Sequence, residues 1–123
     1  MQIDFSIDVN NLELIKEAST EAIRKALEAI GMQAESYAKL ELETPKTHKD
    51  GSVRPNVDTG RLVNSITHTM ENDDTAVIGT NVEYAPYVEV GTSHSDPYPY
   101  LEPAVVNHTQ EYSEIVKEML QNG

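Results

Sequence analysis

Hydrophobic residues near the N-terminus recur at every second position. Ile3, Phe5, Ile7 and Val9 share one face and Asp4, Ser6 and Asp8 the other, which is the alternation of a half-buried strand over residues 2–9. The period then changes. Asn10 stands three residues before Glu13, a capping-box-like pair with Asn in place of Ser or Thr. Leu12, Ile15, Ser19, Ala22, Ile23, Ala26, Ile30, Ala34 and Tyr37 follow at helical spacing. This pattern predicts one amphipathic helix from Asn11 to Glu43, about 50 Å long at ~1.5 Å per residue and longer than a domain of this size is normally wide. Part of such a helix must overhang or bend. Gly31, which costs about 1 kcal/mol relative to Ala inside a helix, marks either a kink or a close approach to another helix. Ala18, Ala22, Ala26 and Ala29 permit the same closeness, either to the domain's own sheet or to another subunit.

Between Thr44 and Asn56 the run TPKTHKDGSVRPN has no period, and its two prolines and one glycine predict a flexible loop. Lys46, Lys49 and Arg54 face a single acid there, Asp50. The segment reads as a solvated loop or as an arm that orders when a neighbouring subunit or partner supplies an acidic surface. Asp58 fits the N-cap of a short helix through Thr59 to Val63, from which Arg61 is expected to reach a carboxylate or the end of the long helix. Asn64 to Met70 predicts a strand with Ile66, His68 and Met70 on one face. Thr75 to Thr80 is its partner, across a hairpin loop at Glu71 to Asp74.

Val82 to Val90 predicts a one- or two-turn helix with Pro86 in its first turn, Glu83 and Glu89 outward and Gly91 as its stop. Tyr84, Tyr87, Tyr98 and Tyr100 are either an interface belt or a satellite core, with Tyr84 and Tyr87 expected to be more buried than Tyr98. Pro103 suits the first turn of a C-terminal helix carrying Val105, Tyr112, Ile115, Val116 and Met119. The expected fold is α+β in a single domain over residues 1–123: a small antiparallel sheet, from the N-terminal strand and the central hairpin, packed against a long N-terminal helix and a C-terminal helix.

Three linked motifs carry a family resemblance. DTGRLVNSI, IGTNVEYAPYVEVGTS and PYLEPA, in this order over roughly half the chain, resemble the tail-completion (head–tail joining, or neck) proteins of tailed bacteriophages, the group with a small α+β fold. The matching positions are Asp58, Gly60, Arg61, Gly79, Asn81, Tyr84, Pro86, Tyr87, Gly91, Pro99, Leu101 and Pro103. The closing motif departs from the family habit of an Arg before the proline and a Phe after it. Here the run is Tyr98-Pro99-Tyr100-Leu101-Glu102-Pro103, so the resemblance lends no support to an ion pair at those positions. It implies a structural virion component at the head-proximal end of the tail, made in the host bacterial cytoplasm and joining the tail tube to the connector below the portal. Its partners would be further copies, head connector proteins and tail-tube or tail-terminator proteins. Such proteins are monomeric or weakly associated alone and form a ring, typically six-fold, on assembly. Lys46, Lys49, Arg54, Tyr98 and Tyr100 are the candidate interaction loop residues.

Composition narrows the alternatives. With 123 residues there is material for one core. No run approaches the ~18 apolar positions of a membrane span, and MQIDFSIDV lacks the basic-then-apolar layout of a signal peptide. The chain has no cysteine, so it holds no disulfide and no thiolate metal site. Its 21 acidic and 9 basic residues give a formal charge of −12, the opposite of what a sequence-reading nucleic-acid binder needs to replace phosphate counterions.

No enzymatic or cofactor motif stands out. Asp58-Thr59-Gly60 is the triplet of aspartic proteases, but those chains are nearly all β, and here a long helix precedes the triplet and Arg61 follows it. His48, His68, His94 and His108 show no metal-ligand spacing, and the adjacent Asp73 and Asp74 are solvated turn carboxylates. Phosphate-loop, dinucleotide and hydrolase-elbow motifs are missing from the sequence. The expectation is a protein without cofactor that acts by interaction. The alternative is a dimeric phage-encoded adaptor or regulatory binding module that uses the alanine-rich helix face as its interface.

Overall fold

The computed structural model describes residues 2–6, 19–47, 51–54, 60–91, 93 and 97–122. Among these, the elements in chain order are β1 (Gln2–Ser6), α1 (Thr20–Glu43), β2 (Lys46–Thr47), β3 (Val53–Arg54), α2 (Arg61–Ser65), β4 (Thr67–Asn72), β5 (Thr75–Gly79), α3 (Ala85–Val90), α4 (Leu101–Val106) and α5 (Thr109–Asn122). The fold is α+β, as the hydrophobic periods predict. β1, β5 and β4 form an antiparallel sheet in that order, with β5 central. Ile3 lies opposite Ile78, which lies opposite His68. The N-terminal strand and the central hairpin therefore make one sheet. The β4–β5 turn is tighter than expected: Asn72 pairs with Thr75, and the register shifts between Met70 and Asn72, leaving Glu71 as an extra residue on the edge strand.

α1 is the spine of the core. It buries Ile23, Ala26, Leu27, Ile30, Ala34, Ala38 and Leu42 along one stripe, in one core with Ala76 and Ile78 of the inner sheet face, Ile66 between α2 and β4, and Leu101, Ala104, Tyr112, Val116 and Leu120 of α4 and α5. The alanines matter because they let the sheet and α5 approach the helix axis. Of the four alanines singled out in the sequence, Ala26 is fully buried inside this domain, Ala22 and Ala29 are half-buried, and Ala18 lies outside the described residues.

Two details of α1 correct the sequence expectation. The helix is not continuous from Asn11: Ser19 is extended at ψ 157 and caps the helix from outside, its Oγ accepting the Ala22 amide at 3.1 Å. The 24 residues of α1 span about 36 Å. The Asn10–Glu13 pair lies outside the described residues. Gly31 is a close approach rather than a kink, and its partner is a strand: a Cβ there would stand 2.8 Å from Cδ2 of His68 on β4. His68 is held over the glycine by Nδ1 at 3.1 Å from Glu35 Oε1, and Lys39 lies 3.6 Å from the other oxygen of Glu35.

The remaining differences are local. The 44–56 segment is not wholly without regular structure, because Lys46 pairs with Arg54 and Thr47 with Val53 in a two-stranded ribbon. Asn64 and Ser65 belong to α2, not to the following strand, and α2 starts at Arg61 after Gly60 at φ +70. Asp58, expected as the cap, is outside the described residues. At the C-terminus, α4 and α5 are separated by a turn at Asn107–His108, so the single expected helix is two.

Candidate assembly surface

The three motifs converge on one end of the sheet. Ser65 at the end of α2 donates to or accepts from Thr80 Oγ1 at 2.6 Å, and Thr80 Oγ1 accepts the Val82 amide at 3.1 Å. This fixes the exit of β5, closed by Gly79, against α2. Arg61 then reaches a carboxylate, as its position predicts. Its guanidinium grips Glu83 with two bonds of 3.0 and 2.9 Å and lies 5.5 Å from the Tyr84 ring centroid. Hydrogen bonding to Arg61 holds the Glu83 carboxyl below its ordinary range, and the same pairing raises Arg61. Asn81 is exposed beside this pair.

α3 follows, with Pro86 in its first turn and Gly91 at φ +78 ending it. Its single acid reverses the expectation that Glu83 and Glu89 both point outward. Glu89 is only 5% exposed, and its carboxylate accepts the amides of Tyr100 at 3.1 Å, Leu101 at 2.9 Å and Glu102 at 3.3 Å. These amides open α4, which has no cap from Tyr100's own side chain. A carboxylate from one short helix thus caps another about ten residues further along the chain. The junction is reinforced by the Tyr98 amide on Val88 O at 2.7 Å and the Tyr100 hydroxyl on Ala85 O at 3.1 Å. Glu89, which spacing marks as an outward residue, is the link between the second and third motifs. Its partners are backbone groups, and nothing in their side chains signals the contact.

The tyrosines are accordingly sorted differently from the expectation. Tyr98 is 4% exposed and Tyr100 fully buried, whereas Tyr84 is half-buried and Tyr87 is 61% exposed. Tyr98 donates to Thr44 O, and Lys46 Nζ lies 4.4 Å from its ring centroid. Burial, reinforced by Glu89 and Tyr84, pushes the Tyr100 hydroxyl well above the ordinary phenol range. Of the candidate interaction loop, Tyr98 and Tyr100 therefore belong to the core. Lys46 is engaged at home, 2.9 Å from Glu41 and 3.2 Å from Pro99 O. Lys49 lies outside the described residues, and Arg54 is placed by its backbone in β3. Leu101 is buried, Pro103 partly buried in the first turn of α4, and Pro99 exposed.

A second polar cluster ties α5 to α1. Tyr37 stacks on His108 with centroids 3.6 Å apart and donates to Glu111, and Tyr112 donates to Ala104 O. The hydrogen bond to Glu111 raises the Tyr37 hydroxyl, and burial does the same for Tyr112. These groups are spent on packing. A groove of about 540 Å³ crosses the outer sheet face, and its described lining, including Gln2, Asn64, Thr67, Thr69 and Asn81, holds no carboxylate, imidazole or amine. Among the described residues no three His, Asp or Glu side chains are grouped to hold a metal ion, and no helix is long and apolar enough to cross a membrane.

What remains accessible at the motif end is a surface made by Arg61, Glu83, Pro86, Tyr87 and Val90 on a rigidly stitched frame. No curated protein and no solved structure matches the chain. A family model described as "Bacteriophage HK97-gp10, putative tail-component" matches residues 9–91, about two thirds of the chain, a span that contains the first motif and all but the last two residues of the second and ends at the glycine closing α3. The chain belongs to this HK97-gp10-like family of phage tail components.

Proposed function

We propose that the protein is a structural component of a tailed phage or prophage that forms a ring at the head-proximal end of the tail and joins the tail tube to the head connector. Membership of a tail-component family carries the reading. The Glu89 junction supports it, because locking α3 onto α4 by a buried carboxylate gives a fixed frame from which exposed loops and side chains can meet neighbours. The work of the protein is then assembly, not turnover, and its location is the virion. A net charge of −12 suits a ring wall past which DNA moves without adhering.

The mass of the purified protein in solution tests this, alone and mixed with tail tubes and connectors from the same phage. A small species alone that enters a large ring-bearing complex on mixing is expected. A chain that stays small in both, or forms a fixed dimer indifferent to the mixture, overturns the proposal.

A further inference from the structure

We draw no further inference here: the strongest candidate, the groove of hydroxyls and carboxamides across the outer sheet face at Asn64, Thr67, Thr69 and Asn81, carries nothing because nothing in the structure shows what covers it.

Discussion

Replacing Glu89 by Ala should damage the fold far more than its place on a six-residue surface helix suggests. The wild-type carboxylate is 5% exposed and accepts three backbone amides, those of Tyr100 and Leu101 from buried positions and that of Glu102 from a partly buried one. Truncation leaves two amides without a partner and the third to water. At about 1–3 kcal/mol for each buried orphan, and with hydrogen bonds to a charged group worth about 1.5–3 kcal/mol, the loss is about 3–5 kcal/mol. A domain of this length changes its Tm by about 4 °C per kcal/mol, so Glu89→Ala should melt about 12–20 °C below the wild type in calorimetry or far-UV circular dichroism. Glu89→Gln keeps the shape and one acceptor oxygen for Tyr100 and Leu101 but turns its carboxamide NH2, a donor, toward the Glu102 N–H, so about 1–3 kcal/mol is expected. Hydrogen exchange should localise both effects to the amides of residues 100–102. A Glu89→Ala protein that melts within about 2 °C of the wild type would mean that water replaces the carboxylate without loss and that the junction does not hold α3 to α4.

Gly31→Ala gains about 1 kcal/mol of helix propensity but drives a methyl to within 2.8 Å of His68, so a net loss of about 1–2 kcal/mol in urea unfolding is expected. In a His68→Ala background the same change should become neutral or stabilising. The raised hydroxyls of Tyr100 and Tyr112 predict behaviour at high pH. A group whose folded pKa lies above its unfolded value contributes stability that is fully present below the ordinary phenol range and lost as pH rises through the folded value. Ultraviolet titration should therefore show these two of the six tyrosines ionising only as the protein unfolds. The Glu83 carboxyl carries the opposite sign: its small stabilisation is present above the ordinary carboxylate pKa and lost as pH falls through the depressed folded value. Its midpoint by carbon-detected NMR should return to the ordinary range in Arg61→Met.

The parts of the fold that sequence makes legible are those with a period. The alternation around Ile3 and Phe5 encodes a strand, the Ile66–His68–Met70 face and the Ile23–Ala26–Ile30–Ala34 stripe encode which face is buried, and the sheet and spine follow from them. Punctuation is legible where one residue suffices, as with Pro86 and Gly91 around α3. What escapes is partnership between distant backbone and side chain. Spacing assigns Glu89 to the outer face because a carboxylate is normally solvated, and only the fold brings three free amides to it. Tyr98 and Tyr100 are misjudged for the same reason, since their hydroxyls find carbonyls at Thr44 and Ala85 that the sequence does not announce. Ser19 is of a type that caps helices, but it falls in register with the apolar stripe, and that register hides the helix start.

The most direct test of the central claim is the position of the protein in the particle. A gold-labelled tag at the C-terminus, viewed in intact virions by electron microscopy, should mark one band at the junction of head and tail and nowhere else. Label distributed along the tail tube, label at the distal tip, or virions without label would contradict the assignment.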